Sequence, residues 1–157
     1  MPFWRRETVT FLRMLIGEYK HTLDEKRRMA LPAKFRRTLG KKVIITRGLD
    51  SCLFIFSQAK WRSKVEKLDQ LSMGQADSRA FARYFFAGAA ELDVDQLGRI
   101  LVPAELALHA GLQNKAVLIG VHDRCEVWNE STWTTYRSSV EKEADRVAEA
   151  LGEIGVL

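Results

Sequence analysis

Two aspartates in this chain each stand four residues ahead of an arginine: Asp24 before Arg28, and Asp95 before Arg99. A carboxylate so placed can accept backbone N–H groups and the guanidinium inside a tight turn. Alternatively, two carboxylates brought together by a fold can share a proton and act as an acid–base pair. The arginine beside each aspartate favours the ionised form, which argues against proton sharing. No Walker loop, GxSxG elbow or HExxH accompanies the pairs, and His21, His109 and His122 lack metal-ligand spacing. The expectation is a protein that is not an enzyme, with no catalytic residue, metal, cofactor or small-molecule substrate. His21 and His109 read as structural residues, and His122 as a turn residue.

The elements that must position these pairs are written twice. Leu23-Asp24-Glu25-Lys26-Arg27-Arg28-Met29-Ala30-Leu31-Pro32-Ala33 is answered 71 positions later by Val94-Asp95-Gln96-Leu97-Gly98-Arg99-Ile100-Leu101-Val102-Pro103-Ala104. The register holds through Gly40 and Gly111 and, with small length changes, reaches Cys52 and Cys125, then Trp61 and Trp133. Upstream of each aspartate the residues alternate, Tyr19, His21 and Leu23 sharing one strand face and Ala90, Leu92 and Val94 the other repeat's equivalent. The aspartates then open a turn in which Gly98 can take a positive φ. An apolar triplet follows, then a proline suited to the first helical position, with Leu31, Phe35, Leu39 and Val102, Leu106, Ala110 at helical spacing. Each repeat reads as strand, tight loop, strand, short helix.

The rest of each repeat is also legible. Val43–Thr46 and Cys52–Phe56 form a predicted hairpin, after which Ser57 caps a helix carrying Trp61, Val65 and Leu68. The second repeat answers with Ala116–Ile119, Cys125–Trp128 and Asn129 as cap before Trp133. Between them Gln75–Gly88 reads as a helix bearing Phe81, Tyr84, Phe85 and Phe86 over much of its surface, buried within the chain or partly against another subunit. The tail places Trp133, Tyr136, Val140, Ala144, Val147 and Leu151 at intervals of three and four, an amphipathic helix expected to pack on its own domain or to grip a neighbouring subunit. At 157 residues the chain suits one compact unit. The expected divisions are an N-terminal extension at 1–13, either disordered or upstream of the true start, a first module at 14–62, connecting helices at 63–88, a second module at 89–134, and a C-terminal helix and tail at 135–157. No stretch approaches membrane-spanning length, and two cysteines without CxxC pairing suit a reduced cytoplasm.

The net charge of +5 is unevenly divided between the repeats. Lys20 to Lys42 holds nine bases (Lys20, Lys26, Arg27, Arg28, Lys34, Arg36, Arg37, Lys41, Lys42) against Asp24 and Glu25. The matching window, Glu91 to Gln113, holds Arg99 against Glu91, Asp93, Asp95 and Glu105. Binding a duplex means replacing the counterions around phosphate with Lys and Arg, so the basic repeat is attracted where the acidic one is repelled. A hairpin loop can enter the major groove, where an arginine pairing bidentately with guanine discriminates by roughly 1–3 kcal/mol. The expected DNA-binding residues are Lys26, Arg27, Arg28, Lys34 and Arg36. The expected loop-structuring residues are Asp24, Asp95, Gly98 and Arg99.

The doubled Asp-x-x-x-Arg loop, its spacing, Phe85-Phe86-Ala87-Gly88-Ala89-Ala90 and the paired tryptophans together resemble the MraZ family, from about Met14 to about Tyr136. Arg27 departs from that pattern, which has glycine before the loop arginine; Gly98 keeps it. The resemblance implies an α+β fold of two tandem, pseudo-symmetric AbrB-like swapped-hairpin modules forming a small β-barrel-like core, with short helices and a C-terminal helix. It also implies a DNA-binding transcriptional regulator, cytoplasmic and nucleoid-associated. Such a protein would assemble as a ring, commonly an octamer, on repeated double-stranded DNA elements upstream of the division and cell-wall gene cluster, its own gene included. The alternative it leaves is a protein-interaction module of the antitoxin-like AbrB fold with only nonspecific DNA affinity.

Overall fold

A computed structural model describes residues 14–155. The reading of residues 1–13 falls outside them. Each repeat builds the same run of elements. The first has β1 (Leu15–Thr22), β2 (Arg28–Ala30), α1 (Ala33–Leu39), β3 (Lys42–Arg47), β4 (Leu53–Ser57) and α2 (Gln58–Asp69). After α3 (Ala76–Ala87) the second has β5 (Ala90–Asp93), β6 (Arg99–Leu101), α4 (Ala104–His109), β7 (Lys115–His122), β8 (Cys125–Asn129) and α5 (Glu130–Glu153).

The repeats do not fold side by side; each gives its first strand to the other. β1 runs antiparallel to β7, from Leu15 opposite His122 to Thr22 opposite Lys115, and β5 runs antiparallel to β3, from Lys42 opposite Asp93 to Ile45 opposite Ala90. The sheet order is β1-β7-β8-β4-β3-β5, with β2 and β6 as a separate ribbon centred on Met29 opposite Ile100. This is an α+β molecule built on an antiparallel sheet. The order is open: among the described residues no ladder joins β1 to β5, so the closure of a barrel is not part of the strand pairing. Each end strand is instead followed at once by an Asp turn that sends the chain into the ribbon.

The apolar periodicities decide which faces meet. Leu31, Phe35 and Leu39 of the first repeat and Val102, Leu106 and Ala110 of the second are all buried, together with Met29 and Ile100 on the ribbon's inner face. They pack on Val43, Ile45, Leu53, Ile55, Leu118 and Val127 of the sheet as one core. Removing a side chain as large as Phe35 from such a core costs about 3–5 kcal/mol. The two prolines sit one position earlier than a first helical residue. Pro32 and Pro103 have φ −54° and −57° with extended ψ, and their carbonyls accept the first helical bonds from Arg36 and Ala107.

Two other helices are only partly covered within the protomer. In α3 only Phe85 is buried, against Phe56 and Trp61, while half-covered Phe86 meets Trp61, Phe81 stacks on Phe85 and Tyr84 lies against His109. α3 is held to the sheet by Thr46, fully buried, whose Oγ1 donates to the Phe85 carbonyl at 2.5 Å. Among the described residues, α5 is anchored at its start. Asn129 caps it, Trp133 and Tyr136 pack on Trp128, and Glu18 accepts from Trp133 Nε1 and Arg137. A helix of 24 residues is about 36 Å long and outruns the sheet beneath it. Val140, Val147 and Leu151 are accordingly exposed on the protomer. No helix among the described residues is long and apolar enough to cross a membrane.

Candidate nucleic-acid interface

The two Asp–Arg loops are three-residue hairpin connections. In the first, Arg27 N–H donates to the Asp24 carbonyl and Asp24 N–H to the Arg28 carbonyl; in the second, Gly98 and Asp95 do the same with Asp95 and Arg99. A loop of this kind ends with a residue in the left-handed region. Arg27 has φ +61° and Gly98 φ +76°.

Each aspartate holds its loop through both oxygens. Asp24 Oδ1 accepts N–H from Lys26 and Arg28, both at 2.9 Å, and Oδ2 accepts Arg28 Nε at 2.7 Å. Asp95 Oδ1 accepts from Leu97 and Arg99 at 2.9 and 2.8 Å, and Oδ2 accepts Arg99 Nε at 3.0 Å. The backbone N–H of the arginine is the largest influence on either carboxyl, and with the guanidinium it holds both below the ordinary carboxylate range. Because Nε is engaged, the two Nη nitrogens of Arg28 are the donors left, and none makes a hydrogen bond among the described residues. That is the edge a guanidinium offers to guanine or phosphate.

Geometry does not distinguish the arginines. Arg28 stands opposite Leu101 and Arg99 opposite Ala30, so both lie on the ribbon's outer face, at its two ends. Charge distinguishes the loops by their own residues, Lys26 and Arg27 against Leu97 and Gly98, although the fold brings Arg36 and Lys41 of the first repeat beside the second loop. Lys26 and Lys34 are exposed, with no side-chain hydrogen bond or ion pair among the described residues, whereas Asp93, Asp95 and Glu105 are exposed in the second repeat. The division is softened at one edge, where Lys42 lies 3.4 Å from Glu91 and 3.7 Å from Asp93 across the β3–β5 pair.

The remaining two arginines each spend Nε on a backbone carbonyl, Arg27 while still exposed and Arg36 half-buried. Arg27 Nε donates to the Val102 carbonyl at 3.1 Å, and Arg36 Nε to the Leu31 carbonyl at 2.9 Å. Arg36 also covers Gly98, where a Cβ would overlap its guanidinium. Burial, reinforced by Arg36, lowers the pKa of His21. The carbonyls of Leu31 and Val102 were not among the residues singled out from sequence; the exchange of arginine between positions 27 and 36 and their counterparts 98 and 107 is the signal that could have found them. Both thiols, Cys52 and Cys125, are free and buried, and burial raises each pKa far out of the reactive range. Among the described residues no cluster of His, Cys, Asp or Glu could hold a metal ion.

The tandem loops and exchanged strands have a counterpart among known families: the profile described as "MraZ protein, putative antitoxin-like" matches twice, over residues 14–84 and 85–153. The chain belongs to the MraZ family. Proteins named transcriptional regulator MraZ from Caldanaerobacter subterraneus subsp. tengcongensis, Alkaliphilus oremlandii and Acetivibrio thermocellus are 43%, 46% and 46% identical to it. Each match spans 143 residues, 91% of this chain and the whole of the relative. The two MraZ matches divide the chain within α3, so each carries one complete Asp–Arg loop.

Proposed function

We propose that this chain is a sequence-specific DNA-binding transcriptional regulator that meets the duplex with its first loop. The observation carrying this reading is that two loops of matching geometry differ in their own residues: the first carries the exposed bases Lys26 and Arg27 where the second carries Leu97 and Gly98. Arg28, its Nη edge free and Lys26 in the same loop, reads base edges; Lys34 and Arg37 of α1 hold phosphate. Arg99, bonded to Asp95 in a loop with no other base, pins its turn. The protein acts in the cytoplasm, at the nucleoid, as a ring-shaped homo-oligomer, an octamer by resemblance to its family. Its targets are repeated elements upstream of the division and cell-wall gene cluster, its own gene included. A ring makes modest single contacts sufficient, because linked repeats at matching spacing raise effective concentration.

A mobility shift on the duplex upstream of the chain's own coding sequence tests this. Arg28→Ala abolishes the shift and Arg99→Ala leaves it, both with unchanged circular dichroism and oligomer mass. Loss in Arg99→Ala with retention in Arg28→Ala overturns the assignment. One feature favours a second reading, an interaction module for a protein partner: Leu97, Leu101 and Leu108 of the acidic repeat are 66%, 51% and 83% exposed. Equal affinity for every duplex, together with capture of a partner lost in Leu108→Ser, would favour it.

A further inference from the structure

The β2–β6 ribbon is short of two hydrogen bonds at its ends, and the shortage is symmetrical. Beyond the paired residues Leu31 N–H donates to the Gly98 carbonyl at 2.9 Å and Val102 N–H to the Arg27 carbonyl at 2.9 Å. The reciprocal donors are missing, because Gly98 N–H and Arg27 N–H are turned back into their own loops onto Asp95 and Asp24. The Leu31 and Val102 carbonyls therefore belong to fully buried residues and have lost their ladder partner. A buried carbonyl needs a donor. In each case a guanidinium supplies it.

The two guanidiniums come from different places. Arg36, on α1, reaches the Leu31 carbonyl by passing over Gly98, in space that a side chain there would fill. At the other end the residue matching Arg36 is Ala107, on α4, which cannot reach, and the residue matching Gly98 is Arg27, which bonds the Val102 carbonyl itself. Glycine in the loop goes with arginine on the helix; arginine in the loop goes with alanine on the helix. The same bond is made twice by an exchange of side chains between two positions.

From this exchange we infer that Arg27 is the positioning residue of the first loop: its guanidinium replaces the missing ladder N–H, locks the loop onto the other repeat's Val102 and thereby aims Arg28, without itself reading the duplex. Arg36 does the same for the second loop. Ala107, too short to reach, leaves the Val102 carbonyl to Arg27. The positioning role of Arg27 rests on the reading of the first loop as the DNA-contacting one, and it makes a distinct prediction about rescue.

The test uses the full chain and the duplex upstream of its own coding sequence, with Arg27→Gly, the double variant Arg27→Gly with Ala107→Arg, and Arg28→Ala. Arg27→Gly binds roughly tenfold more weakly, the effect of about 1.4 kcal/mol, and its log–log salt slope is unchanged. The double variant, which copies the arrangement at Gly98 and Arg36, restores affinity to within about twofold. A slope reduced by about 0.9 with no rescue means that Arg27 neutralises a phosphate, and overturns the inference. Hydrogen exchange of the Val102 amide gives a reading without DNA: it speeds up in Arg27→Gly and slows again in the double variant. Failure of that pattern overturns the clamp whatever the DNA data show. If Arg28→Ala leaves binding intact while the exchange pattern holds, the clamp stands and the DNA assignment of the first loop falls. The reverse exchange, Arg36→Ala with Gly98→Arg, read by exchange of the Leu31 amide, covers the case in which the Ala107→Arg substitution disturbs α4; a Leu31 amide left faster than in the unaltered chain counts against the clamp.

Discussion

Asp24 and Asp95 show how much one carboxylate can organise when each oxygen has its own task. Both pKa values are lowered in the fold, chiefly by the arginine N–H each accepts. The stabilisation is therefore fully present above the ordinary aspartate value of about 3.9 and is lost as pH falls through the lowered folded value. Carboxyl-carbon NMR titration should find both midpoints below the ordinary aspartate value, with loop amide shifts moving in step. At position 27 two effects compete. A side chain in the left-handed region costs about 1–2 kcal/mol relative to glycine, while a hydrogen bond from a charged donor contributes about 1.5–3 kcal/mol, less where solvent reaches it. Arg27→Gly trades one for the other and should leave urea stability near that of the parent. Arg27→Ala, which loses the bond and keeps the strain, should be the less stable of the two by about 1 kcal/mol. Gly98→Ala must both strain the backbone and displace Arg36, so it should cost at least about 1–2 kcal/mol in the same assay.

At the scale of elements, the joints are single polar contacts set between apolar faces. Thr46 satisfies the Phe85 carbonyl in the last turn of α3, where helical carbonyls lack partners. Thr46→Val keeps the shape and orphans that carbonyl, which should cost about 1–3 kcal/mol by urea unfolding followed through Trp61 fluorescence. α5 behaves differently along its length, because the stacked Trp128, Trp133 and Tyr136 hold its first turns and nothing described covers Val140, Val147 or Leu151. Deleting residues 140–157 should leave the urea midpoint nearly unchanged, whereas Trp133→Ala should lower stability by about 3 kcal/mol or less, the indole being only half-buried. Light scattering on the same truncation reads whether the exposed stripe holds a neighbouring subunit; an unaltered mass would leave α5 as a projecting arm.

The whole molecule is one folding unit made from two repeats, since neither repeat owns its complete sheet. A protease site placed in the exposed Met73–Gly74 turn, then cut, should leave the halves eluting together until denatured, because β1 and β5 each remain paired in the other half. Charge acts at the same scale. DNA affinity should fall with salt at a log–log slope of roughly 0.9 per phosphate neutralised. Replacing Lys34 should lower that slope while weakening all duplexes alike, whereas Arg28→Ala should flatten the preference among sequences.

The sequence alone determined that a unit is doubled, that each copy closes a tight loop on an Asp–Arg pair, that the short helices bury Phe35 and Leu106, and that the positive charge gathers in the first copy. These are local or additive properties: periodicity, turn chemistry and charge are carried by neighbours in the chain. Tertiary structure alone decided that β1 pairs with β7 rather than with β3, that the sheet order stays open, that α5 outruns its support, and that Arg27 bonds Val102. Alternation tells which face of a strand is covered but not which edge it joins, and a guanidinium on a long flexible stem takes whatever carbonyl the assembled backbone has left without a donor.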